Sequence, residues 1–117
     1  EQYRYPYDEV ILEFPAGKVD KDEDLTTAAI RELEEEIGYH AETIEYLGDM
    51  YPSCAYTDEI ISLYFATNLV KTHQSLDENE ALNYKFITLE EIKELVVTNK
   101  IKDAKTLCAL QLFLLKK

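Results

Sequence analysis

Apolar positions recur along this chain with a strand-like period at some places and a helix-like period at others. Tyr3 to Phe14 is rich in β-branched and aromatic residues, and Val10-Ile11-Leu12-Glu13-Phe14 reads as a strand. Tyr3, Tyr5 and Tyr7 alternate, which would put them on one side of that strand as packing or interface residues. Pro15-Ala16-Gly17 ends the run, because proline cannot donate to a ladder and glycine permits a sharp bend. A polar loop from Lys18 to Asp24 follows, its acidic end suited to the positive end of a helix dipole. From about Asp24 to Ile37 the period is helical: Ile30, Leu33 and Ile37 share one side, and Gly38 is the stop signal. Two strand-like runs come next, Thr43 to Tyr51 and Ile60 to Asn68, joined by residues 52–59. After an acidic loop from His73 to Ala81, a short strand is expected at Tyr84 to Ile87. Thr88-Leu89-Glu90-Glu91 opens a helix with a capping box, and an apolar last helix, about Asp103 to Leu115, should pack on the sheet.

This mixture of strands and helices predicts an α/β or α+β sandwich, folded as one domain over 1–117. There is no internal repeat, linker or low-complexity tract. The chain opens on Glu1-Gln2 without a methionine, which suggests part of a longer polypeptide. No apolar run reaches membrane-spanning length. With 24 acidic and 12 basic residues the net charge is −12, which disfavours nucleic acid and anionic membranes as partners. Cys54 and Cys108 match no metal-ligand spacing, so a reducing, cytoplasmic setting is the expectation.

The helix at 24–37 changes the picture. It carries four glutamates in five positions, Glu32, Glu34, Glu35 and Glu36. Like charges three or four residues apart each cost a helix roughly 0.2–0.5 kcal/mol. Glu32, Glu35 and Glu36 fall within about 100° of one another, roughly opposite the apolar stripe, while Glu34 points elsewhere and reads as solvated. The small side chains of Ala28 and Ala29 flank the carboxylates. Such a run is ordinarily a solvated face; here a divalent cation would turn the repulsion into coordination.

The spacing decides between these readings. Gly17, Glu23, Arg31, Glu32, Leu33, Glu35, Glu36 and Gly38 fit the Nudix box, G-x5-E-x7-R-E-U-x-E-E-x-G-U, with Tyr39 in place of the final aliphatic residue. The chain resembles the ADP-ribose pyrophosphatase branch of the Nudix hydrolases over nearly its whole length. Glu1-Gln2-Tyr3-Arg4 is similar to that branch's first strand motif and Glu13-Phe14-Pro15-Ala16-Gly17 to its entry into the box. Leu76-Asp77-Glu78-Asn79-Glu80 is similar to its catalytic loop, and Lys102-Asp103-Ala104-Lys105-Thr106 to the start of its C-terminal helix. The resemblance implies an α/β/α sandwich with a mixed β-sheet, here lacking N-terminal strands, and a cytoplasmic homodimer in full-length form. It implies Mg²⁺, or Mn²⁺ in its place, and hydrolysis of a small nucleoside diphosphate substrate.

Roles follow from the same resemblance. Glu32, Glu36, Glu80 and the Ala16 carbonyl are the implied metal ligands, and Glu78 is the general base. Glu35 completes the catalytic set, on the metal or beside it. Arg4 is implied to reach the substrate phosphates, with Ser53 and Glu59 also on the substrate. Glu23 and Arg31 support the box, Gly17 serves the loop's backbone path and Gly38 closes the helix. From the residues alone, the Glu78 loop reads as an ordinary acidic surface loop, and Arg4 can be read as an exposed strand arginine. One departure concerns substrate: Ser53-Cys54-Ala55 stands where the branch has Ser-Pro-Gly, a marker of ADP-ribose preference. Another nucleoside diphosphate sugar, or an ADP-ribose-binding module without hydrolysis, therefore stay open, as does an inactive fragment.

Overall fold

Each α-helix begins on a side chain that accepts a hydrogen bond from its own first turn. Asp24 accepts from the Thr27 amide (2.7 Å), Thr88 from that of Glu91 (3.1 Å) and Asp103 from that of Thr106 (3.1 Å). Each such cap contributes about 1 kcal/mol to holding the helix start. The Glu91 carboxylate reaches back to the Thr88 amide, completing the expected capping box. In the computed structural model, which describes residues 1–76 and 83–117, these caps open α1 (Leu25–Ile37), α2 (Leu89–Val97) and α3 (Ala104–Lys116). The strands are β1 (Gln2–Arg4), β2 (Glu9–Ile11), β3 (Tyr39–Met50) and β4 (Ile61–Lys71).

β1 and β2 form a short antiparallel ladder, Gln2 opposite Ile11 and Arg4 opposite Glu9. Between them Tyr5–Tyr7 make a 3₁₀ turn that closes on Asp8 in the left-handed region (φ 49°). Pro6 fixes its own φ and offers no N–H, so the alternating tyrosines turn a corner instead of lining one strand face. The expected strand at Val10–Phe14 stops at Ile11 because the next residues bond elsewhere. Glu13 pairs with Arg4 and Lys105, and the Phe14 amide donates to the Thr106 hydroxyl.

β3 and β4 pair antiparallel from Tyr39–Lys71 to Met50–Ile61, each longer than the sequence pattern suggests. Pairing compensates backbone groups whatever the side chains, so polar positions such as His40 and Lys71 are drawn in. Tyr84–Ile87 forms no strand. Asn83 and Glu1 exchange two backbone hydrogen bonds (2.9 and 3.2 Å), and Phe86 packs edge-on against Tyr39 and Tyr84. The strands described thus make two antiparallel ladders, with the three helices giving the mixed α/β layers.

α3 holds these layers together. One side joins Leu47 and Leu63 of the hairpin through Ala109, with Phe65 and Phe113 alongside. Another places Leu110 with Ile92 of α2 and Ile101. Fully burying side chains of this size stabilises by roughly 1.5–3 kcal/mol each. α1 packs on β3, with Ala28, Ile37 and Ala41 buried. Among the described residues no helix is long and apolar enough to cross a membrane.

Candidate active site

The geometry of the site starts at the two ends of α1. At its C-terminus Gly38 adopts φ 73° and returns its N–H to the Glu34 carbonyl (2.8 Å). A Cβ there would lie 2.9 Å from the Gln74 nitrogen, so the glycine also allows the chain after β4 to lie against the helix end. That chain satisfies the carbonyls a helix end leaves open. The Ser75 amide donates to Glu35 O (2.7 Å), the Gln74 side chain to Glu36 O (2.6 Å) and the Thr72 amide to Gly38 O (2.6 Å). Sequence reasoning missed Gln74 and Ser75, since no local pattern marks a contact 38 residues away.

The carboxylate face of α1 meets the loop before it. Glu36 is 6% exposed, and its Oε2 accepts the Ala16 N–H (2.9 Å). The Glu32 carboxylate occupies the space over Gly17: an added Cβ would stand 1.9 Å from Glu32 Cδ. Gly17 is not in the left-handed region, so it supplies room for a carboxylate and not an unusual backbone angle. Glu34 is half-buried, not fully solvated.

Arg31 clamps loop to helix. Its Nε and NH2 donate to both oxygens of Glu23 (2.8 and 2.9 Å), NH2 to the Lys18 carbonyl (2.9 Å), and NH1 to Glu32 and Glu35 (2.9 and 3.0 Å). The Glu23 bonds above all raise the Arg31 pKa. In return the Arg31 bond, followed by the Asp20 amide, lowers that of Glu23. Arg31 thereby joins Lys18 and Glu23 of the loop to Glu32 and Glu35 of α1.

A second charged group lies at the start of α3. Glu13 accepts Arg4 Nε and NH2 (2.7 Å each) and Lys105 Nζ (2.8 Å); Lys105 also donates to Asp103 (3.0 Å). Burial works against the charge on Glu13, but the bonds from Arg4 and Lys105 outweigh it and hold the pKa below 4.5. The Thr106 hydroxyl, 2% exposed as a residue, donates to Asp103 (2.7 Å) while accepting from Phe14 (3.0 Å).

Ser53 and Glu59 lie on the connection between β3 and β4. The Ser53 carbonyl accepts from the Tyr56 and Thr57 amides (3.0 Å each), and exposed Glu59 shares a depression with Tyr51, Cys54 and Thr57. Cys54 and Cys108 are free thiols. Glu78 and Glu80, the expected base and extra ligand, lie outside the described residues. Among the described residues no three acidic, histidine or cysteine side chains gather as a complete cage. What α1 and its loop bring together are the Glu32 and Glu36 carboxylates and the backbone of Ala16 and Gly17.

An α/β layered domain with a glutamate-bearing helix clamped by Arg31 against a glycine-containing loop is thus what the described residues build. Residues 1–110 match the NUDIX domain, and the chain belongs to that family. It is 43% identical over 113 residues to a methanol dehydrogenase activator of Bacillus methanolicus, covering 95% of this chain and 61% of that protein. To an ADP-ribose pyrophosphatase of Bacillus subtilis (strain 168) it is 38% identical over 117 residues, covering 98% of this chain and 63% of the other. A crystal structure of an ADP compounds hydrolase matches with a TM-score of 0.86 at 26% identity, over 96% of this chain and 60% of that one. The chain thus spans about three-fifths of the length of these relatives.

Proposed function

We propose that this chain is the hydrolytic domain of a Mg²⁺-dependent enzyme that cleaves the pyrophosphate bond of ADP-ribose to AMP and ribose 5-phosphate. The supporting observation is the meeting of Glu32 and Glu36 with the backbone of Gly17 and Ala16. Glu32, Glu36, the Ala16 carbonyl and Glu80 would hold the metal, with Glu35 as a further ligand or beside one. When bound, the ion offsets charge on the phosphoryl oxygens and lowers the pKa of water. The Glu78 carboxylate takes the proton of the attacking water, Arg4 hydrogen-bonds the phosphates, and Ser53 and Glu59 contact the rest of the substrate. Glu23 and Arg31 keep the loop on the helix. A homodimer in a reducing cytoplasm belongs to the same proposal; the exposed Tyr3, Tyr5, Tyr7 and Val10 supply apolar surface for it.

The test is AMP release by the full-length protein from ADP-ribose in Mg²⁺, with GDP-mannose and NADH as rivals for the altered Ser53-Cys54-Ala55 loop. Faster turnover of a rival moves the substrate. ADP-ribose bound with no AMP formed makes the protein a binding module. The Bacillus methanolicus relative favours a second reading, in which the protein acts on a dehydrogenase. A raised rate of methanol oxidation on adding this protein to methanol dehydrogenase would support that role, and an unchanged rate would remove it.

A further inference from the structure

The Arg4–Glu13 pair has a shape that a simple surface ion pair does not need. Arg4 presents one edge, Nε and NH2, to both oxygens of Glu13 in a fork at 2.7 Å, which fixes the plane of the guanidinium. That contact uses two of its five N–H groups, and the side chain is 38% exposed. The Glu13 side chain is only 8% exposed and is itself held by Lys105, whose second bond is to the α3 cap Asp103. Arg4 is therefore braced through Glu13 to the first turn of a helix, although its own strand is three residues long. Two cations and two carboxylates make this group neutral within a chain of net charge −12, so a phosphate meets less repulsion here than over most of the surface. Three residues after Glu13 the Ala16 N–H donates to Glu36 (2.9 Å), so the segment that carries the brace also touches the carboxylate face of α1.

We infer that Glu13, locked by Lys105, is a positioning residue that orients the Arg4 guanidinium toward a phosphate of the nucleoside diphosphate substrate. The inference rests on the reading of Arg4 as a phosphate contact. An arginine already fixed in plane loses less rotamer freedom when the phosphate arrives, and this gain disappears when the brace is cut.

The experiment is a double-mutant cycle on the full-length protein, reading the dissociation constant for ADP-ribose in EDTA by calorimetry. Arg4→Ala should weaken binding about 10-fold or more, and Glu13→Gln about 3- to 10-fold. In the Arg4→Ala background, Glu13→Gln should change binding less than about twofold, because the group it positions is gone. Equal weakening by Glu13→Gln in both backgrounds, or none in the wild type, overturns the positioning role. Wild-type affinity in Arg4→Ala overturns instead the assignment of Arg4, and absence of ADP-ribose binding by the wild type overturns the substrate reading. If Glu13→Gln does not fold, Glu13→Asp carries the same comparison, since it keeps the charge and breaks the fork.

Discussion

Replacing Gly17 by alanine separates the two reasons a loop can need glycine. The backbone of Gly17 lies outside the left-handed region, so alanine adds no conformational strain there. By restricting the unfolded chain it should stabilise by about 0.4–1 kcal/mol. The new methyl, however, would sit 1.9 Å from Glu32 Cδ, where ordinary contact begins near 3.4 Å, so the carboxylate must shift by about 1.5 Å. A flexible side-chain end can make that move, but it leaves the Arg31 NH1 bond, at a cost of about 1 kcal/mol. The two terms nearly cancel, and urea unfolding should place Gly17→Ala within about 1 kcal/mol of the wild type. Function should not cancel: misplacing a ligand by this much costs on the order of 100-fold in rate. Calorimetric Mg²⁺ titration beside AMP release would read the loss directly. Wild-type Mg²⁺ affinity and rate in a folded Gly17→Ala protein would refute the view that Gly17 exists to seat Glu32.

Three further outcomes follow from the contacts described. Glu36→Gln keeps an acceptor for the Ala16 amide, so circular dichroism should be unchanged while AMP release is abolished; a near-wild-type rate would remove Glu36 from the metal site. Thr106→Val strips the Phe14 amide of its acceptor and should cost about 1–3 kcal/mol in urea unfolding, with Thr106→Ser recovering most of it; a valine variant as stable as the wild type would contradict this. The folded-state pKa of Glu13 is depressed, so its stabilisation is present above the ordinary value of 4.5 and is lost as pH falls through the folded value. The stability gap between wild type and Glu13→Gln should therefore narrow as pH is lowered from 7 through this range, and a constant gap would show that the carboxylate charge is not what stabilises.

Much of this was legible because it is local. Asp24, Thr88 and Asp103 cap helices whose first turns lie three residues away, and Gly38 ends α1 by its own backbone angle. The box spacing put Glu32 and Glu36 on one side of that helix, where the loop carrying Ala16 and Gly17 meets them. What the pattern misjudged depended on partners. Tyr84 to Ile87 has strand-like residues, yet the backbone pair with Glu1 is made by Asn83 just before it, while β3 gains Tyr39 and His40 because β4 is there to pair with them. Tyr5-Pro6-Tyr7 was open to a local reading, since proline after a short strand forecasts a corner, but the tyrosine alternation masked it. The bond between Phe14 and Thr106 spans 92 residues, and no periodicity encodes such a distance.

The contacts of Thr72, Gln74 and Ser75 with the end of α1 bear on the order of folding. The helix can nucleate at Asp24 within its own sequence, yet its last carbonyls are satisfied by residues that follow β4. Its final turn therefore has to wait for the slower, non-local closure of the β3–β4 hairpin. Pulse-labelled hydrogen exchange during refolding should protect the Ser75 amide no earlier than the β3–β4 amides, and earlier protection would reverse that order. The carboxylate face of α1 would then be among the last surfaces to take its final shape, and a nascent chain would carry the box sequence for some time before it could grip a cation.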